Sequence, residues 1–118
     1  MYDCRRFFID GAWVTPQGRQ EHVVINPATE EPAGRILLGT EEDVDAAVKA
    51  ARAAFTTYGE TTREERMALL ARIVDVYRER MEDVAEAICV EMGAPVAFAR
   101  KMQAPTGLRH FATALAVL

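Results

Sequence analysis

Phe7-Phe8-Ile9-Asp10-Gly11-Ala12-Trp13-Val14 is the stretch from which the rest of this chain can be read. Two short runs of β-forming residues flank Asp10-Gly11, the pair that most readily takes positive φ at both centres of a tight type I′ turn. The spacing therefore predicts a β-hairpin turning at Asp10-Gly11, with Trp13 packed against apolar side chains. Thr15-Pro16-Gln17-Gly18 reads as the loop after it. His22 to Ile25 is apolar and β-branched, a second strand stopped by Asn26-Pro27, and Gly34 opens a further strand over Arg35 to Leu38 that Gly39 closes.

Beyond Gly39 the period changes. Thr40 is a good N-cap, and Glu41, Glu42 and Asp43 put negative charge where the helix dipole favours it. Val44, Ala47, Val48, Ala51, Ala54, Phe55 and Tyr58 recur at helical spacing until Gly59. Thr62 with Glu65 forms a capping box for a second helix, whose face runs Met67, Leu70, Val74, Tyr77, Met81 and on through Val84, Ala85 and Ile88 to Gly93. A break near Arg80 would divide it. Pro95 starts a last helix carrying Phe98, Met102, Leu108, Phe111 and Leu115, which Pro105 should kink because proline offers no N–H and crowds the preceding turn. The fold class is thus α+β: N-terminal β-hairpins over residues 1–39, then three or four helices over 40–118. The apolar pattern runs to Leu118 without a stop signal, so the parent polypeptide is expected to continue.

The composition excludes several functions. With 14 Lys and Arg against 18 Asp and Glu, the net charge is -4 and no basic stripe is present, so nucleic acid is not an expected partner. Phe111 to Leu118, the longest apolar run, is far too short to span a bilayer. Asp10-Gly11 cuts the apolar run after Arg5-Arg6 too early for a signal peptide, so no membrane role and a cytoplasmic location are expected. Cys4 and Cys89 then read as free thiols, Cys4 in an unanchored terminus and Cys89 as a small residue on the apolar side of a helix. His22 and His110 have no partner at ligand spacing, which argues against zinc. Glu64-Glu65 and Glu82-Asp83 read as solvated helix faces, with Arg78 and Glu82 spaced for an i,i+4 pair.

Several segments, in order, resemble the start of the NAD(P)-dependent aldehyde dehydrogenase superfamily. Phe8 to Val14 is similar to its opening hairpin, and Val24-Ile25-Asn26-Pro27-Ala28-Thr29-Glu30-Glu31 to its most recognisable N-terminal motif. Glu42 to Val48 and Ala50 to Phe55 resemble its first helix, and Thr62-Arg63-Glu64-Glu65-Arg66 the opening of its second. Tyr58 stands near a common Trp, and Glu91-Met92-Gly93-Ala94-Pro95 replaces the commoner Asp-Thr-Gly-Lys-Pro.

The resemblance implies a parent α/β fold with a Rossmann-like coenzyme domain. In the full-length family a cysteine thiolate attacks an aldehyde, hydride passes to NAD or NADP, and a glutamate activates water to release the acid. Those residues and the cofactor-binding segments belong to later sequence, and no Gly-x-Gly fingerprint occurs here. No catalytic and no cofactor-binding residue is therefore expected in this chain, whose part would be scaffolding. The resemblance also implies a monovalent cation held by the backbone carbonyls of Val24 and Ile25 and the carboxylate of Glu91, oxygen donors suited to a hard ion. The same residues also read as strand positions and an acid that caps its helix or faces solvent, and the greater length of Glu than the family's Asp favours that reading. A homo-oligomer formed through exposed apolar helix faces is expected, and an aldehyde substrate only in a full-length protein. The alternative to a shortened dehydrogenase is a free-standing helical interaction module without catalysis.

Overall fold

The computed structural model describes residues 1–118. The chain forms two compact units, residues 1–25 with 31–60, and residues 26–30 with 61–118.

In the first unit the hairpin is formed by β2 (Phe7–Ile9) and β3 (Ala12–Val14), paired Phe7 to Val14 and Ile9 to Ala12. Asp10 at φ 53 and Gly11 at φ 74 make the turn, as their residue types require. Trp13 packs edge-on against Phe8, ring centroids 5.3 Å apart, and the Arg6 guanidinium lies over its ring. The expected burial is only partial: Trp13 remains 61% exposed, because its face of the hairpin has just that one aromatic neighbour to meet.

The three-stranded sheet has the order β1 (Tyr2–Cys4), β5 (Pro32–Leu37), β4 (Glu21–Ile25). β4 and β5 are antiparallel, with a register shift at Val24/Ile25. β1 lies parallel to β5, Tyr2 opposite Gly34 and Cys4 opposite Ile36. This corrects the unanchored reading of Cys4. A parallel partner about thirty residues away leaves no local turn signal to read, whereas a hairpin does.

α1 (Glu41–Tyr58) belongs to the same unit and has no buried residue. Its first turn is locked from two sides. The Asp43 carboxylate accepts the Thr40 backbone N–H at 2.9 Å, and Arg19 donates to it from Nε at 2.7 Å.

In the second unit α2 (Arg63–Glu79) starts with the expected capping box: Glu65 N–H donates to the Thr62 hydroxyl, and Thr62 N–H to the Glu65 carboxylate at 2.7 Å. Arg80 separates it from α3 (Met81–Met92), which ends at Gly93 in the left-handed region, φ 65. The break undoes the expected pairing of Arg78 with Glu82. Arg78 turns back to Asp75, Glu82 bonds Arg100, and Arg80 bonds Asp83, because residues on either side of the break no longer share a helix face.

After Pro95, α4 (Val96–Phe98) runs into a π-helical turn at Ala99–Gln103 and then α5 (Ala104–Val117). The π turn is how the chain absorbs Pro105, since widening the backbone relieves a residue that can neither donate an N–H nor tolerate the tighter turn before it. Ala85, Ala99 and Ala104 form the buried centre, surrounded by Met81, Val84, Ile88, Cys89 and Ala94. Small residues here let α3, the π turn and α5 approach closely, and Cys89 takes the packing role expected of it.

Candidate functional site

Residues 26–30 form a compact turn within the second unit. Asn26 caps it twice: its side-chain oxygen accepts the Ala28 N–H at 2.9 Å, and its carbonyl accepts the Glu30 N–H at 2.8 Å. Glu30 takes φ 61, and the turn lies directly on the C-terminus of α3, where a Cβ on Gly93 would stand 2.9 Å from Pro27 Cγ. The motif that is most recognisable in the sequence is therefore a packing element.

Of the residues expected to hold a cation, Val24 and Ile25 sit on β4 in the first unit, at the register shift that locally disrupts its ladder with β5. Glu91 lies in the last turn of α3 in the second unit, exposed to solvent.

The most perturbed acids belong to structural ion pairs. Asp43 is held at about 2, against an ordinary 3.8, first by its hydrogen bond from Arg19 and then by the Thr40 N–H. Its side chain is 14% exposed and that of Arg19 16%. Asp3 is likewise lowered to about 2, by the Arg5 side chain at 2.7 Å and the Arg5 N–H. Arg5 also reaches Glu21 at 3.4 Å, so the polar cleft of about 590 Å³ lined by Asp3, Arg5, Arg6, Arg19 and Glu21 has its charges largely matched internally. Such pairs fix local geometry and leave little net field for a ligand.

A second concavity is apolar. A groove of about 820 Å³ on the helical unit is walled by Leu69, Ile73, Val76, Tyr77, Val84 and Phe111, with Arg72, Arg80 and Asp83 on its margin. Met67, Leu70, Val74 and Tyr77 form one apolar stripe along α2. A second stripe, Leu69, Ile73 and Val76 at i, i+4 and i+7, was equally legible and marks the groove. No helix is long and apolar enough to cross a membrane, so these exposed faces are not membrane spans.

Residues 13–118 match the family model described as the aldehyde dehydrogenase family. A 3-succinoylsemialdehyde-pyridine dehydrogenase from a Pseudomonas species is 50% identical over 119 residues, which cover 100% of this chain and 25% of that protein. Among solved structures, an aldehyde dehydrogenase from Bartonella henselae superposes with a TM-score of 0.95 at 37% identity, covering 98% of this chain and 24% of the other. Aldehyde dehydrogenase C from Pseudomonas syringae, solved with NAD+ and octanal, gives 0.93 at 42% identity, covering 96% and 23%. The chain thus spans about a quarter of the length of the relatives it matches, and it corresponds to their N-terminal part. With the family model matching residues 13–118 and the fold superposing at a TM-score of 0.95, the chain belongs to the aldehyde dehydrogenase family.

Proposed function

We propose that these 118 residues are the scaffolding N-terminal portion of a cytoplasmic NAD(P)-dependent aldehyde dehydrogenase. The whole protein would oxidise an aldehyde to a carboxylic acid, with nucleophile, general base and coenzyme contacts supplied by other sequence. One observation carries the scaffolding role: apolar surface. Only Ala33, Val74, Ala85, Ala99 and Ala104 are buried core residues, while Val44, Val48, Phe55, Val76 and Phe98 are each more than half exposed. The accessible area is 8749 Å², where a folded monomer of 13.1 kDa exposes about 6,400 Å². Surface in such excess is made to be covered.

The test is a chimera in which this chain replaces the matching quarter of the Pseudomonas dehydrogenase. Aldehyde oxidation near the parental rate is expected, because no reacting group is exchanged. A folded, soluble chimera without activity would refute the reading. The 118-residue chain alone is expected to oxidise no aldehyde, and micromolar, saturable NAD+ binding by calorimetry would contradict its scaffolding role.

We also propose homo-oligomerisation of the isolated chain through its apolar helix faces. Phe111, 38% exposed beside Tyr77, and Leu115 one turn on are part of that surface, so changing both to Glu should shift the population toward monomer.

A further inference from the structure

Asp10-Gly11 carries chemistry that the turn itself does not use. A backbone nitrogen attacks the side-chain carboxyl of the aspartate before it most readily when that nitrogen is uncommitted and unshielded. Gly11 meets both conditions. It takes no part in the β2–β3 ladder, which pairs Ile9 directly with Ala12, and no atom lies within 4 Å of where a Cβ would stand. Asp10 is exposed, and neither a hydrogen bond nor an ion pair engages its carboxylate. The other aspartates lack this combination. Asp3, Asp43, Asp75 and Asp83 are each held by an arginine, and Asp45 lies within α1. Cys4, Val44, Ala46, Val76 and Val84 follow them, all with side chains that shield the nitrogen. Helical nitrogens are also committed, as Val44 is to the Thr40 carbonyl at 3.2 Å. Asn26, the lone asparagine, precedes Pro27, whose nitrogen carries no hydrogen.

We propose that Asp10-Gly11 is a site of spontaneous covalent modification, at which the folded chain converts Asp10 to isoaspartate. The Gly11 nitrogen attacks Cγ of the protonated Asp10 carboxyl group. The N–Cγ bond forms, the Cγ–OH bond breaks, and the hydroxyl leaves with the amide proton as water, closing a five-membered succinimide. Water then adds to one of the two ring carbonyls. Breaking the bond from the nitrogen to Cγ restores aspartate. Breaking the bond to the main-chain carbonyl carbon leaves the chain running through Cβ and Cγ. The water lost is regained, and nothing is oxidised or reduced. Bringing the nitrogen onto Cγ needs the turn to loosen, and β2 and β3 are three residues each and pair with no other strand. Such a ribbon opens at little cost. The product puts one more backbone atom into a two-residue turn, so the Phe7–Val14, Phe8–Trp13 and Ile9–Ala12 register no longer closes.

The test is to age the 118-residue chain for several weeks in mildly acidic native buffer, beside a sample unfolded in urea. Isoaspartate is then mapped in peptide digests by enzymatic methylation of the isoaspartyl carboxylate. In native buffer, position 10 is expected to exceed every other aspartate at least tenfold, with a minor species lighter by one water in the same peptide. Gly11→Ala, which shields the nitrogen, should slow the conversion several-fold. The converted fraction, separated by chromatography, should lose near-UV circular dichroism from Trp13, whose edge-on contact with Phe8 depends on the register. Conversion in urea but none in native buffer would mean that the hairpin protects the site, which overturns the proposal. So would isoaspartate no more abundant at position 10 than at Asp45 or Asp75, or a Gly11→Ala chain that converts as fast as wild type.

Discussion

Tyr77 occupies the space that a side chain at position 107 would need: a Cβ built on Gly107 would stand 2.3 Å from the Tyr77 hydroxyl oxygen and 2.8 Å from Cζ. The missing side chain lets the phenol reach across from α2 and donate to the Ala104 carbonyl at 2.9 Å. The same ring meets Phe111 with centroids 6.2 Å apart. A glycine inside a helix is ordinarily a weakness. Here it is the condition for α2 and α5 to dock.

Gly107→Ala should therefore destabilise the helical unit, although alanine is the better helix former. Helix propensity favours the change by about 1 kcal/mol. Overpacking against a rigid ring costs typically 1–3 kcal/mol, and losing the Tyr77 bond roughly 1 more. Urea unfolding should show a lower midpoint, whereas Tyr77→Phe alone should cost only about 1 kcal/mol. If Gly107→Ala raises the midpoint, the close approach is not what holds these helices.

The hairpin offers a different kind of test, because nothing lies within 4 Å of a Cβ at Gly11. Any penalty there comes from its φ of 74 alone. Gly11→Val should cost roughly 1–2 kcal/mol, with β-branching resisting the left-handed region. Trp13 fluorescence during a thermal melt reads the hairpin directly. Unchanged melting would mean the turn is not the one described.

Gly93 combines both effects, a φ of 65 and the Pro27 ring 2.9 Å from where a Cβ would sit. Gly93→Ala must strain the end of α3 or push away the Asn26–Glu30 turn. Amide hydrogen exchange is expected to rise at Ala28 and Glu30, whose N–H groups are held by Asn26. Protection unchanged at both amides would show that the turn does not depend on this contact.

Acid should loosen the start of α1. Asp43 titrates at about 2 in the folded chain against an ordinary 3.8, so its contribution is complete above the higher value and is lost as pH falls toward the lower one. Asp3 is lowered in the same range by Arg5, and Glu65 is lowered by its Thr62 hydrogen bonds. All three make the wild-type chain less stable in acid. Arg19→Gln removes the largest cause at Asp43, together with the Arg19 pair to the exposed Glu42, and leaves Asp3 and Glu65 as they are. Its urea midpoint should lie below wild type at pH 6, and the gap should narrow by pH 2. A gap that stays constant across that range would mean Arg19 acts through something other than the Asp43 charge.

The sequence alone was enough to place the turn at Asp10-Gly11, the Thr62–Glu65 capping box, the break at Arg80, the resumption of helix after Pro95 and the interruption associated with Pro105. Each depends on residues within a few positions of one another, so the steric and hydrogen-bonding preferences that set them are written locally. The order of such signals was also sufficient to identify the family. What only the tertiary structure decided is non-local: β1 alongside β5, Arg19 on Asp43, Glu82 turned to Arg100, Tyr77 over Gly107, and the apolar groove between α2, α3 and α5. In each case several partners satisfied the same chemistry on paper. Arg78 and Glu82 were a sound i,i+4 pair until the chain broke between them, because the choice among equivalent charges and apolar faces is made by the packing that brings distant residues within reach.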